Sequence, residues 1–173
     1  MKIIVALKEQ LAIVQELAAL IWPSTYGKIL SSEQIEYMMD MMYSIESLEK
    51  QLQNNRIFLF AEEDNKFVGF ASYELNCDDF NTRAEGELIE AKTKIHKLYV
   101  LPERQGKGIG RQLIDFIANI ALKNQNTALF LTVNKNNNAK YFYLKNGFEI
   151  TQEAVFDIGN GFIMDDYIME KKL

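Results

Sequence analysis

The sequence predicts an α/β fold, a mixed sheet with helices on its faces. Three observations predict it. Apolar residues alternate in some segments and recur at helical spacing in others, in the order strand, helices, strands, helix, strand, helix, two strands. Turn residues at Asp64-Asn65 and Gly159-Asn160-Gly161 each sit between two strand-like runs, which marks two hairpins. A glycine-rich turn, "VLPERQGKGIGRQLIDF" at 100–116, stands between a strand and an amphipathic helix.

Taken in order, "KIIVAL" reads as a short strand, and Leu11, Val14, Ala18 and Ile21 then recur at helical spacing. Proline cannot continue a helix, so this one is expected to stop at Trp22-Pro23. A second helix follows over "EQIEYMMDMMYS", capped by Ser31 or Ser32, and a third over "SIESLEKQLQ". "RIFLFAEE" and "KFVGFASYEL" carry the aromatic and branched residues of paired strands. The polar stretch 76–92 is a loop or a frayed hairpin end before the strand "TKIHKLYVL". Ile109, Leu113, Phe116, Ile117 and Ile120 then share one face of a helix reaching about Lys123. "TALFLTV" is a buried strand, "NNAKYFYLKNGF" a helix closed by Gly147, and the last hairpin ends the chain.

At 173 residues, with 48% apolar and 25% charged, the chain is expected to form one domain, 1–173, that folds alone. Its apolar runs are short for a membrane span and "MKIIVALKEQ" is unlike a secretory signal, so a cytoplasmic address is expected. One cysteine, Cys77, forms no internal disulfide, and one histidine with it makes a poor zinc set, so no metal is expected. A formal charge of −5 argues against general nucleic-acid binding and mildly favours cationic partners.

The helix start after the glycines leaves backbone N–H groups unpaired and carries partial positive charge, which attracts an anion; glycines let the backbone approach it. Spacing excludes the familiar nucleotide motifs. Neither Gly106 nor Gly108 opens a dinucleotide fingerprint, and Ile109 stands where a P-loop needs Ser or Thr after its lysine.

Gln105-Gly106-Lys107-Gly108-Ile109-Gly110 does match the Q/R-x-x-G-x-G/A loop of the GCN5-related N-acetyltransferases, the GNAT superfamily. The chain resembles that family over 95–148 and, through flanking elements, over nearly its whole length: "VNKNNNAKYFYLKNGF" is similar to the family's V-N-x-x-N-x-x-A-x-x-F-Y-x-x-x-G-F. "YMMDMMYSIESLEKQL" and the strands after it are similar, more loosely, to bacterial polyamine acetyltransferases of the spermidine and spermine type. The resemblance implies the GNAT fold, a mixed, mostly antiparallel sheet of about six to seven strands with about four to five helices.

It also implies acetyl-CoA as cofactor and direct acetyl transfer to a primary amine of a small cationic acceptor, polyamines foremost. Backbone groups of Leu98, Tyr99 and Val100 would pair with the pantetheine arm. Amides from Gln105 through Gly106, Lys107, Gly108, Ile109 and Gly110 to Arg111 would hold the pyrophosphate, with Arg104, Lys107 and Arg111 adding charge. Asn136 matches the family asparagine that touches the cofactor, with Asn134, Asn137 and Asn138 leaving the register open. Tyr143 stands at the family's tyrosine, where a phenol of pKa ~10 keeps a proton for the departing thiolate. His96, with the strand parity of Leu98 and Val100, is the candidate base; a water relay to Glu33 or Glu74, or an acceptor arriving neutral, competes. Cys77 as an acyl carrier is disfavoured. Trp22, Tyr26, Glu33 and Tyr37, with Asp165, Asp166 and Tyr167, are candidates to hold the cationic acceptor. A peptide or protein N-terminus as acceptor, or a noncatalytic acyl-CoA sensor, are the alternatives. No nucleic acid or membrane partner is expected, and assembly, with a homodimer among the options, stays open.

Overall fold

A computed structural model of the chain describes residues 1–77 and 90–173. Seven strands form one sheet in the order β1-β2-β3-β4-β5-β7-β6. They are β1 (Lys2–Val5), β2 (Ile57–Glu63), β3 (Lys66–Glu74), β4 (Lys92–Val100), β5 (Ala128–Asn134), β6 (Glu149–Gly159) and β7 (Phe162–Lys172). Five helices flank them: α1 (Leu11–Tyr26), α2 (Ser32–Tyr43), α3 (Ile45–Gln53), α4 (Ile109–Lys123) and α5 (Ala139–Lys145). Every neighbouring pair is antiparallel except β4 and β5.

Alternation along the strands sorts side chains onto two cores. Phe58, Phe60 and Phe70 pack with Val14, Ala18, Ile21, Trp22, Met38, Tyr43 and Leu48 of α1, α2 and α3. On the opposite face Leu59, Ala71, Tyr73, Ile95 and Val100 pack with Ile109, Leu113, Ile114 and Ile117 of α4 and with Tyr143 of α5. The α4 stripe is thus close to the expected one, with Ile114 and Ala121 buried and Phe116 and Ile120 only partly so.

The turns follow local chemistry. Asp64 and Asn65 have φ of 49° and 59°, which closes the β2–β3 hairpin in two residues. Ser31 caps α2 by accepting from the Gln34 N–H at 3.1 Å. Gly147, at φ 84°, lies just past α5 as a C-terminal glycine should.

One boundary differs from expectation: α1 runs through Pro23 to Tyr26. Proline fixes a helix-compatible φ and costs one bond, to the carbonyl four residues back. That residue, Ala19, is exposed, so water can replace the bond, and Ser24 and Thr25 hydroxyls donate to Ile21 O at 2.8 and 3.0 Å. Most of the polar stretch after β3 lies outside the described residues. At its rim the Cys77 N–H donates to Lys92 O at 2.9 Å, prolonging the β3–β4 ladder.

Candidate active site

The parallel pair makes the site. β4 and β5 bond only over Lys92–Lys94 and Ala128–Phe130, and beyond that register they part like a fork. Two hollows lie along the gap. A cavity of about 940 Å³ lies toward the glycine loop, lined by Arg104, Gln105, Gly106, Gly108, Ile109 and Gly110 among others. One of about 130 Å³ lies toward α1, lined by Tyr26, Lys97, Tyr99 and Thr132 among others. Leu98, Val100, Gln105, Asn137 and Tyr143 line both, so the two hollows meet at the fork.

The loop is held open by backbone conformation. Gly106 and Gly108 have φ of 74° and 80°, a region that costs other L-residues strain. Gly108 is the N-cap of α4 and no side chain caps it, so the first-turn N–H groups keep their capacity for an anion. The Gln105 Nε2 donates to Val100 O at 3.0 Å, which ties the loop to the end of β4. Gly110 acts differently: a Cβ there would meet Phe142 Cζ at 3.0 Å, so it permits close packing of α4 on α5. The residues present therefore fit a diphosphate. The cations do so unevenly. Arg104 lines the larger cavity and reaches Glu63 at 3.5 Å; Lys107 faces a separate hollow beside Glu62 and Glu63; Arg111 is exposed and pairs with Asp115 at 3.6 Å.

Tyr143 is 8% exposed and borders both hollows. Burial, with the neighbouring Tyr26, pushes its phenol above the ordinary value, so it holds its proton at neutral pH. Asn136 and Asn137 both line the larger cavity; Asn137 Oδ1 also accepts the Ala139 N–H at 2.9 Å, at the first residue of α5.

His96 lines the smaller hollow, although it reaches it from the other face of the strand than its parity predicts. Register between β3 and β4 passes from Tyr73↔Ile95 to Ser72↔Lys97, leaving His96 as an extra residue in a β-bulge. The bulge reverses parity, so His96 does not share the face of Leu98 and Val100. It turns to the α1–α3 side, where its Nε2 lies 3.0 Å from Glu74 Oε2. Burial, then Arg56, Lys94 and Lys97, hold the imidazole pKa well below its ordinary value. A neutral imidazole whose Nε2–H donates to Glu74 keeps Nδ1 as its acceptor. Glu74 is engaged by His96 and lies 3.9 Å from Arg56, and Glu33 is exposed at the start of α2, where backbone and Ser31 bonds lower its pKa; neither lines the hollows.

The proposed acceptor residues are scattered. Tyr26 lines the smaller cavity, its hydroxyl 3.1 Å from that of Tyr99. Trp22 is 1% exposed, its ring against Tyr26 at 4.5 Å and its Nε1 donating to Tyr43 Oη at 3.2 Å, which leaves it no face for a ligand and corrects that expectation. Tyr37 also serves structure: its hydroxyl donates to Ile158 O at 2.6 Å, fastening α2 to the β6–β7 hairpin. Lys97, which sequence reading passed over, is 5% exposed and lines the smaller cavity. The adjacent polar pair His96-Lys97 in an otherwise alternating strand was the available sign of the bulge.

A forked mixed sheet with a glycine loop feeding a helix N-terminus at the fork defines the acetyltransferase class of nucleotide-cofactor enzymes. Residues 28–170 match the family model described as Acetyltransferase (GNAT) domain, and the chain belongs to that family. It is 30% identical over 170 residues, 95% of this chain and 92% of the relative, to the spermidine N(1)-acetyltransferase of Thermoplasma acidophilum. The crystal structure of PaiA N-acetyltransferase from Thermoplasma acidophilum in complex with coenzyme A superposes with a TM-score of 0.75, at 29% identity over 100% of both chains. A GCN5-related N-acetyltransferase from Rhodopseudomonas palustris has the same fold, with a TM-score of 0.79 at 24% identity over 99% of this chain and 95% of its own. The chain is thus an N-acetyltransferase, and its acetyl donor is acetyl-CoA.

Proposed function

We propose that this enzyme acetylates a primary amine of a small cationic molecule, polyamines foremost, by direct transfer within the fork. The observation that carries the reading is Tyr143, placed where the hollow on the glycine-loop side meets the hollow on the α1 side. Acetyl-CoA supplies an activated acyl group as a thioester. The amides of Gln105 to Arg111 would hold its diphosphate, and the open edges of β4 at Leu98 to Val100 would bond its extended arm. Tyr143 would give its proton to the departing sulfur. The attacking nitrogen has to be neutral: His96, in the wall of the smaller hollow, would take its proton, or the acceptor would lose it to water or arrive without it. The likeness to a spermidine acetyltransferase supports a polyamine as acceptor.

The test is an acceptor screen read by mass spectrometry, with diamines, polyamines, aryl amines and peptide N-termini offered beside acetyl-CoA. Acetylated spermidine with no acetylated peptide is the expected result; the reverse would replace this reading with peptide acetylation. Tyr143→Phe should lower kcat by roughly 10- to 100-fold while calorimetry shows unchanged acetyl-CoA affinity. An unaltered kcat would remove the acid role.

A further inference from the structure

Asp166 is a buried carboxylate with one oxygen left unpartnered. It is 1% exposed, and its Oδ1 has no hydrogen-bond partner. Unpaired buried charge is costly and persists where something else is served. On β7 its neighbour Tyr167 lies opposite Val133 and joins the α4-side core, so Asp166, opposite Asn134, turns to the α1 side. There it lies behind the wall of the smaller hollow, interacting with the Thr132 hydroxyl and with Tyr26, both of which line that hollow. The nearby cation is occupied elsewhere: Lys135 Nζ lies 2.6 Å from Asp165 Oδ1 and 2.8 Å from Glu153 Oε2.

We propose that Asp166 binds the second, unreacted ammonium group of a diamine or polyamine acceptor and thereby selects such acceptors over monoamines; this rests on the amine-acetylating reading above. The chemistry divides the two nitrogens. The one that attacks near Tyr143 must be uncharged, whereas the distal one stays protonated and needs a counter-charge where water is scarce. Tyr26, which lines the smaller hollow, interacts electrostatically with both Tyr143 and Asp166, so the two ends of a short aliphatic chain have separate places to go. The groups that act on Asp166 are Tyr26 from α1, Lys135 from the segment after β5, Thr132 on β5 and, from the other face of its own strand, Asp165. Burial first, with Asp165 adding to it, raises its carboxyl to about 6, while Thr132 and Lys135 pull the other way. The carboxylate form is thus mostly present above pH 7, and diamine affinity should weaken as the pH falls through 6.

Asp166→Asn keeps the shape and removes the charge. For the intact enzyme, kcat/KM is measured with putrescine and with n-butylamine, and spermidine binding is measured separately by calorimetry in the presence of coenzyme A. The wild type is expected to prefer putrescine, and the variant to lose at least about tenfold of that preference with acetyl-CoA affinity and Tm preserved or raised. The Thr132→Val variant, which keeps the charge, should retain most of the preference. An unchanged preference in Asp166→Asn overturns the proposal, and so does spermidine binding that is absent from the wild type or equal in both proteins. Spermidine binding that depends on Asp166 without acetyl transfer to it would uphold this site and overturn the acceptor reading instead.

Discussion

Lys97 stands 5% exposed on β4, with its Nζ donating to Gln51 Oε1 at 2.8 Å and lying 4.9 Å from the centre of the Tyr43 ring. Burial, with Arg56 adding to it, brings its amine down to about 7. The unfolded chain, with an ordinary lysine near pKa ~10.4, binds the proton more tightly, so this group's stabilising contribution is greatest above pH ~10 and is lost as pH falls through about 7. Lys97→Met removes the titration, although it also leaves Gln51 Oε1 unpaired at every pH. The constant offset does not matter to the slope: the Tm difference between wild type and variant should move in the wild type's favour between pH 6 and pH 9. Parallel Tm curves would show that Lys97 is solvated. None of this is legible in "TKIHKLYV" alone, because the burial of Lys97 follows from α3 packing over a strand that lies far from it in the chain.

At the scale of elements, the glycine loop, α4 and α5 form one lever. Gly108 and Gly110 look alike in the sequence and differ in the fold. A Cβ at Gly108 meets nothing within 4 Å, so alanine there costs only the strain of φ 80°, about 1–2 kcal/mol, relieved by rotating the amides that open α4. A Cβ at Gly110 presses on Phe142, the residue before Tyr143 on α5. Gly108→Ala should therefore weaken acetyl-CoA binding by roughly tenfold, whereas Gly110→Ala should leave binding near normal and lower kcat by displacing Tyr143. Calorimetry and steady-state kinetics on the two variants separate these effects, and identical profiles would refute the division. The elements themselves were readable where local chemistry decides them. Asp64-Asn65 take the left-handed conformations of a tight turn, and Ser31 caps its own helix. Two features escaped because distant partners settle them: α1 continues past Pro23 against the aromatic core, and the bulge at His96 arises from β3 pairing, so His96 reaches the smaller hollow from the α1 side instead of from the face of Leu98 and Val100.

At the scale of the whole molecule, the fork is a deliberate gap in an otherwise continuous sheet. Beyond Lys94 and Phe130 the facing edges of β4 and β5 no longer bond to each other, although each stays paired with its outer neighbour, β3 or β7. The sheet is thus two antiparallel halves joined by a short parallel seam, with α4 as the chain's connection from one half to the other. Periodicity could announce both strands but not their parting, which depends on side chains from both halves. A ligand lying in the gap and bonding the loop and the strand edge binds only the folded molecule, so it should stabilise the molecule as a unit. At a coenzyme A concentration of about 100 times Kd the gain is about 2.7 kcal/mol, which for a chain of this size raises Tm by roughly 5–10 °C. Differential scanning calorimetry with coenzyme A should show this shift as a single, still cooperative transition. Desulfo-coenzyme A, which keeps the diphosphate and the arm, should give nearly the same shift, while adenosine alone should give little. A shift as large with adenosine as with coenzyme A would mean that the loop and fork do not act together, and would detach the glycine turn from the gap it adjoins.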